Sequence, residues 1–297
     1  MVKPDSKHTE FFNEFKTERI KTSGATIHTV YGGNRDGSPL LLLHGIPETH
    51  VLWRKVAPTL AHHCFVVMTD LRGYGDSSKP PGGGDHFAYS KRAMAQDQVE
   101  VMRHLGFDKF ALVGHDRGGR VAHRLALDHP EALSKLVILD IVPTHLLYRQ
   151  ITQEFATIFY HWFLLVQPAP FPETMIQNSA EYFLKCTLLW LGGSKLTDPL
   201  PDWISPLYFK NISGRLASQI RSMPFARIIV RRLRLTSFTM RRTSTKRFSA
   251  RCSYYGLRRA HSIACTTSCK RGEIGPSRHT ARRCRPAISC RNRCRRS

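Results

Sequence analysis

The sequence predicts an α/β fold with a mostly parallel sheet and helices on both of its faces. Four apolar runs have the length and continuous hydrophobicity of strands buried on both sides: 39–43, 64–68, 110–113 and 136–139. Stretches with helical spacing of apolar residues lie between the runs, from Ser90 to Leu105 and from Val121 to Asp128. Strands that alternate with helices are typical of a parallel sheet, because each crossover needs a helix.

Signals at the ends of these elements support the assignment. Ser90 is the predicted N-cap of the first long helix, and Gly106 is its predicted C-terminal stop. Before the first apolar run, polar and apolar residues alternate from Arg19 to Tyr31 around Gly24. This alternation predicts a hairpin of two edge strands.

Charge divides the chain into two compositions. Residues 1–212 carry 22 Lys and Arg against 21 Asp and Glu, whereas residues 213–297 carry 23 against a single acid, Glu273. Six of the eight cysteines also lie after residue 212. The net charge of +23 therefore belongs to the C-terminal segment and does not indicate a nucleic-acid partner for the first 212 residues.

Membrane insertion is not expected. Residues 1–10 are polar and charged, unlike a signal peptide. The longest apolar run, 155–166, is interrupted by His161 and is too short to span a bilayer. We therefore expect a cytoplasmic protein without a membrane partner.

Polar residues follow directly after each apolar run. His44 and Gly45 follow the first run, Asp70 the second, Asp116 the third and Asp140 the fourth. Ligands of open α/β sheets bind beyond the carboxyl ends of the strands. The sequence therefore predicts that the functional site gathers these residues.

The segment 114–118 reads Gly-His-Asp-Arg-Gly between a predicted strand and a predicted helix. This pattern matches the sharp turn that holds a nucleophile clear of a sheet. Taken alone, it also fits an ordinary glycine-rich turn capped by aspartate. His44-Gly45, two strand-helix units earlier, favours the interpretation of Asp116 as a nucleophile.

An aspartate nucleophile narrows the chemistry. The carboxylate of Asp116 would attack carbon and give an ester on the enzyme, which water must then cleave. Suitable substrates carry an electrophilic sp3 carbon, as alkyl halides and epoxides do. The backbone N–H groups of Ile46 and Arg117 are the expected oxyanion hole. We expect His115 to be structural.

Six motifs follow one another along residues 10–205: His44 to Glu48, Asp70 to Pro80, Gly114 to Arg120, Leu139 to Pro143, Tyr160 to Trp162 and Gln167 to Pro170. In order and spacing they resemble the haloacetate (fluoroacetate) dehalogenases. The resemblance implies an α/β-hydrolase fold with a helical cap over the sheet. It also implies hydrolysis of a carbon–halogen bond of a small haloacid without a metal or an organic cofactor.

Carried over by position, the resemblance implies roles for single residues. Asp116 would be the nucleophile, and Asp140 the acid that orients a catalytic histidine. Two pairs of residues would bind the substrate, namely Arg117 and Arg120 at its carboxylate and His161 and Trp162 at the departing halide.

Each assignment has a plainer alternative. Arg120 could be a surface residue of its helix, and His161 and Trp162 could be core packing of the apolar stretch 155–166. Epoxide hydrolases share the aspartate turn but have no evident need for the arginine pair. An epoxide hydrolase therefore remains the alternative to a haloacid enzyme.

The resemblance stops near residue 205. A halide-site tyrosine, two further strands and the catalytic histidine have no counterpart in frame, since His261 and His279 follow no predicted strand. We therefore predict a core with six strands over 1–143, a partial helical cap over 144–212 and a disordered basic tail over 213–297. The sheet would be truncated before its last strands, and the enzyme would be inactive.

Three explanations compete for the tail: a zinc or nucleic-acid module, a disordered arm, and the family's C-terminal part read in the wrong frame. The cysteines lack a paired C-x-x-C spacing, and no nucleic-acid fold signature is present. In a shifted frame, the codons allow C-x-D-Y-R near 225–230, an apolar strand over 251–256 and Gly-His at 286–288. We favour a frameshift near 206–214. A non-enzymatic remnant with a tail that binds nucleic acid non-specifically is the alternative, and a family-like homodimer is doubtful.

Overall fold

The structure, a computed structural model, describes residues 11–222 except 84–85, 169, 192–194, 196 and 203, together with residues 252–255. For residues 145, 190–191, 217–222 and 252–255 it describes the backbone alone. Most of the basic segment lies outside the described residues. That part includes His261, His279 and two of the three stretches on which the frameshift hypothesis rests, near 225–230 and at 286–288.

Strands and helices alternate along the chain as predicted. The strands are β1 Lys16–Lys21, β2 Thr26–Gly33, β3 Ser38–Leu43, β4 Cys64–Thr69, β5 Phe110–His115, β6 Leu133–Leu139 and β7 Cys252–Tyr255. The α-helices of the described part are α1 Ala57–Ala61, α2 Lys91–His104, α3 Arg117–Asp128, α4 Thr144–Arg149, α5 Gln153–Ile158, α6 Tyr160–Leu164, α7 Phe171–Gln177, α8 Ala180–Leu191 and α9 Pro206–Ser222. Short 3-10 helices occupy His50–Lys55, Phe87–Tyr89 and Pro130–Ala132.

The strands form one mostly parallel sheet in the order β1-β2-β4-β3-β5-β6-β7. β2 pairs antiparallel with both β1 and β4, and every other pair is parallel. In the centre, Leu41 of β3 lies beside Val67 of β4 and Leu112 of β5. The predicted α/β fold is confirmed, and the carboxyl ends of β3, β4, β5 and β6 meet at one edge.

Two expectations about the sides of the sheet were wrong. The hairpin was predicted as two edge strands, but β2 pairs on both sides, so only β1 lies at an edge. The sheet was predicted to end at β6, but Cys252–Tyr255 pairs in parallel with β6. An open β6 edge offers unpaired N–H and C=O groups that an extended segment can satisfy. A strand of four residues is too short for periodicity to reveal.

The basic segment was also predicted to be without structure from Ser213, but α9 continues through this position to Ser222. The reason is packing. Tyr208, Ile212 and Leu216 recur at intervals of four residues, and all three are buried, so they form one helical face. Charge composition had set the predicted boundary, and it does not report this face.

Local sequence features explain where helices α2 and α3 begin. The Ser90 side chain caps α2 by accepting a hydrogen bond from the amide of Ala93 at 3.1 Å. Gly106 follows that helix with a φ of 90°, a left-handed conformation that glycine adopts at the ends of helices. Helix α3 begins at Arg117, four residues before its predicted start, because the turn at Asp116 leads straight into it. This early start places the first helical turn of α3 beside Asp116.

Short helices follow β6, where the cap was predicted. Of α4 to α7, none is longer than 7 residues, whereas α8 has 12 and α9 has 17. Within the described part of the chain, no helix is long and apolar enough to cross a membrane.

Candidate active site

Asp116 occupies a strained turn between β5 and α3. Its backbone has φ 44° and ψ −110°, a conformation that is costly for a residue with a side chain. The turn is tight, since a Cβ on Gly114 would lie 2.6 Å from the carbonyl oxygen of Gly118. The amide of Asp116 donates to the carbonyl of Leu139 at 3.3 Å, which ties the turn to β6. Strain of this kind is typical of a displayed nucleophile.

The predicted oxyanion-hole residues flank this carboxylate. The amide of Ile46 donates a hydrogen bond to Oδ1 of Asp116 at 3.0 Å. Gly45 permits the approach, because a Cβ there would lie 2.6 Å from the Cβ of Asp116. Arg117 is the first residue of α3, where backbone N–H groups have no acceptor within the helix.

Cations keep the carboxyl group of Asp116 ionised. Burial alone would raise its pKa, but Arg120, His115 and Arg117 outweigh burial. Together with the Ile46 hydrogen bond they hold the pKa of Asp116 below its ordinary value. Asp116 is therefore ionised at neutral pH.

The two predicted carboxylate-binding arginines are both buried, at 5% exposure for Arg117 and 7% for Arg120. Nη1 of Arg117 donates to the hydroxyl of Tyr74 at 2.8 Å, which fixes its guanidinium. The alternative that Arg120 is a surface residue is wrong, because α3 packs its side chain inside. Two buried guanidiniums in the first helical turn after Asp116 can bind an anion.

His161 and Trp162 come from α6 and are also buried, at 6% and 7% exposure. The Cζ atom of Arg120 lies 4.2 Å from the centroid of the Trp162 ring. Burial lowers the pKa of His161 to about 4, although the charge of Asp116 opposes this shift. A neutral imidazole keeps one N–H to donate, as the indole does. The structure therefore brings these two donors to the Asp116 site.

Asp140 follows β6 and is exposed, with a backbone φ of 53°. Across the described ranges, no hydrogen bond or ion pair to its carboxylate is present. A histidine paired with Asp140, which the family resemblance requires, has no counterpart in this part of the chain.

Sequence reasoning missed an ion pair beside Asp116. Nδ1 of His115 lies 2.9 Å from Oε2 of Glu48, and the amide of Gly45 donates to the same oxygen at 3.0 Å. Burial would lower the pKa of His115, but Glu48, Asp116 and Asp140 raise it to about 9. His115 is therefore a cation at neutral pH and is no base. The partners lie 67 residues apart, so the position of His115 next to Asp116 was the sequence signal for it.

A second buried network surrounds Asp70 after β4. Its Oδ1 accepts from the amide and Nδ1 of His50 at 2.8 and 2.9 Å, and its Oδ2 accepts from the amide of Asp76 at 2.9 Å. Burial would raise the pKa of Asp70, but His50 and His28 hold it well below its ordinary value. His28, His50 and Asp70 place ligand atoms within 4.8 Å of one another. Because both oxygens of Asp70 accept these hydrogen bonds, the network fixes the loop 70–76.

A cleft of about 880 Å³ opens elsewhere, between α8 and the start of α9. Glu181, Tyr182, Lys185, Asp202 and Phe209 are among its lining residues. No predicted site residue lines it. The chemistry of the Asp116 turn is therefore separate from this cleft.

Known proteins share these features. The family model for the alpha/beta hydrolase fold matches residues 38–214. A fluoroacetate dehalogenase from Burkholderia sp is 48% identical over 183 residues, which are 62% of this chain and 60% of that protein. A soluble epoxide hydrolase from Corynebacterium sp. (strain C12) is 46% identical over 130 residues, 44% of this chain and 43% of that protein. The chain therefore spans less than two thirds of the length of either relative.

A solved structure agrees with the sequence relatives. ALR0039 of Nostoc sp PCC 7120, named as an alpha/beta hydrolase, is 42% identical with a TM-score of 0.75, covering 83% of this chain and 82% of that chain. The predicted resemblance to the haloacetate dehalogenases is confirmed by the Burkholderia relative. Because the family model covers more than half of the chain, this protein belongs to the α/β hydrolase fold family.

Proposed function

We propose that Asp116 attacks the halogen-bearing carbon of a haloacetate and forms an ester with it. The observation that carries this proposal is the pair of buried guanidiniums, Arg117 and Arg120, in the first turn of the helix that follows the nucleophile. Planar guanidinium donors suit a carboxylate. The carboxylate of a haloacetate is bonded directly to the carbon that reacts, so binding the carboxylate would position that carbon.

In the proposed first step, an oxygen of Asp116 forms a bond to this carbon while the carbon–halogen bond breaks. The halide leaves with the electron pair of that bond. The amide of Ile46 holds Oδ1, so Oδ2 is the attacking oxygen. The N–H groups of His161 and Trp162 would stabilise the departing halide.

Product release requires a second step, in which water attacks the carbonyl carbon of the ester and a base takes its proton. The Ile46 amide would stabilise the oxyanion that forms. Asp140 could orient a histidine base, but the described chain supplies none, and Glu48 keeps His115 protonated. We therefore propose that the Asp116 ester forms and persists.

Incubation with fluoroacetate or chloroacetate tests the first step. We expect a mass increase of one carboxymethyl group on the intact chain, mapped to the peptide that contains Asp116, with matched release of halide. The control variant Asp116→Asn should show neither change. A native chain that gains no mass and releases no halide overturns the proposal.

Epoxide opening is the second candidate, because the Corynebacterium epoxide hydrolase is 46% identical over 130 residues. An epoxide brings no carboxylate for the two guanidiniums. We therefore expect no adduct with a small neutral epoxide such as styrene oxide. An epoxide adduct on Asp116, without a haloacetate adduct, would establish this candidate instead.

Several expectations stay predictions beside this proposal. They are the cytoplasmic location, the absence of a specific nucleic-acid partner, the doubtful homodimer and the division into core, cap and tail.

A further inference from the structure

Tyr148 stands on α4, which begins soon after Asp140 at the carboxyl end of β6. Its ring centroid lies 6.1 Å from that of Trp162 and 6.4 Å from that of Phe163. The same Trp162 ring carries the guanidinium of Arg120, at 4.2 Å from Cζ to the ring centroid. Tyr148 therefore belongs to the wall that Trp162 and Arg120 form beside the nucleophile.

The hydroxyl oxygen of Tyr148 is buried and has no hydrogen-bond partner among the described residues. Thr144, one helical turn earlier on the same face of α4, also has a buried hydroxyl oxygen without a partner in this part of the chain. Buried polar groups are nearly always hydrogen-bonded, because water would otherwise satisfy them. Two such hydroxyls on one face of α4 indicate that this face lines a binding site for a polar ligand.

Charge indicates which ligand this hydroxyl suits. Burial raises the pKa of Tyr148, and Arg120 and Arg117 oppose that shift without outweighing it. The hydroxyl therefore stays protonated and can donate a hydrogen bond at neutral pH. A donor in the field of two guanidiniums favours an anion, and a hydrogen bond to an anion is stronger than one to a neutral group.

We propose that the Tyr148 hydroxyl donates a hydrogen bond to the carboxylate of the bound haloacid, as a third donor beside Arg117 and Arg120. This inference rests on the proposed function, since it names a specificity residue of the same site. It predicts that Tyr148 discriminates acids from their neutral analogues. The hydroxyl would then gain its missing partner only when substrate is bound.

Fluoroacetate and fluoroacetamide, titrated by fluorine NMR into the Asp116→Asn chain, test the proposal without ester formation. Adding Tyr148→Phe should raise the Kd of fluoroacetate about tenfold, and it should leave the Kd of fluoroacetamide unchanged. Tyr182→Phe is the matched control, because that side chain is 64% exposed, and it should alter neither constant. Thermal melting of both variants should match that of the parent, which separates binding from misfolding.

Three results would overturn this assignment. One is an unchanged Kd of fluoroacetate in Tyr148→Phe, and another is an equal loss for fluoroacetamide. The third is measured in chains that keep Asp116. If Tyr148→Phe slows ester formation at saturating haloacetate but leaves the half-saturating concentration unchanged, Tyr148 donates to the halide and not to the carboxylate. If the Asp116→Asn parent binds fluoroacetate no better than fluoroacetamide, and the native chain forms no ester, the proposed function itself fails.

Discussion

At the scale of single residues, two kinds of contact determine the state of the Asp116 carboxylate: nearby cations and one hydrogen bond. Asp116 keeps its charge in a buried position because two arginines and the protonated His115 oppose the cost of burial. Its orientation depends on a shorter-range contact, the 3.0 Å hydrogen bond from Ile46. Charge and orientation can therefore be changed separately by mutation.

Gly45→Ala should disturb the orientation of Asp116. The added methyl group would lie 2.6 Å from the Cβ of Asp116, so one of the two must move. A displacement of this size should slow ester formation about 100-fold, measured as the rate of adduct appearance with chloroacetate. Gly214→Ala is the matched control, since a Cβ there meets nothing within 4 Å. Equal rates for the two variants would contradict the role of this close approach.

Glu48→Gln should change the charge of His115. Without the carboxylate, the pKa of His115 should fall from about 9 toward its ordinary value of about 6.5, as a proton NMR titration would report. The ion pair raises the pKa of His115 in the folded chain above its pKa in the unfolded chain. It therefore stabilises the fold at pH values below the unfolded pKa, and this stabilisation is lost as the pH rises through the folded pKa. The native chain should therefore lose stability between about pH 6.5 and about 9 relative to the variant. Parallel stability curves would show that the ion pair contributes nothing.

At the scale of elements, the sequence predicted the parts whose signal is local. The four buried strands and α2 follow from continuous apolar runs, a Ser90 cap and the Gly106 stop. Helices α4, α5 and α6 have only 5 or 6 residues, which is too few for a helical period to appear. Their presence was therefore inferred from the family resemblance.

The site divides in the same way. Asp116, Arg117 and Arg120 were predictable because they are neighbours in one turn of chain. Glu48 and Tyr148 could not be predicted, because they come close to that turn only after β3, β5 and α4 have packed together. Contacts over such separations leave no pattern in a single sequence.

One long-range element contact should dominate stability. Arg72, after β4, makes two hydrogen bonds of 2.6 Å to Asp97 of α2, and both side chains are buried. Arg72→Met leaves that carboxylate buried without its cation, so we expect a loss of about 3–5 kcal/mol in unfolding free energy by urea titration. The control pair is Arg92 with Asp128, whose arginine is 46% exposed, and Arg92→Met should cost at most about 1 kcal/mol. Similar losses for both variants would refute this difference.

At the scale of the whole molecule, charge is the feature that divides the chain. The hydrolase part is nearly neutral, and residues 213–297 carry 23 basic side chains against one acid. The family model ends at residue 214, close to this change in composition. Both boundaries lie at the range 206–214, where the frameshift hypothesis places the change of reading frame.

The basic segment should bind nucleic acid without sequence preference. A chain that ends at Ser222, the last residue of α9, should lose most of this binding, because it keeps only two of those basic residues, Arg215 and Arg221. Affinity of the full chain should fall steeply with salt as counterions are released. Fluorescence anisotropy with two unrelated duplexes would check both points. A strong preference for one duplex, or full binding by the shortened chain, would contradict this expectation.

The lifetime of the Asp116 ester tests the account most directly. Halide released and mass gained should be followed together over hours after chloroacetate is added to the full chain. We predict that halide release stops at one equivalent per chain while the carboxymethyl ester on Asp116 persists, since the described residues supply no histidine base beside Asp140. Continuous halide release with an unmodified chain would show that a base is present and would contradict the predicted inactivity.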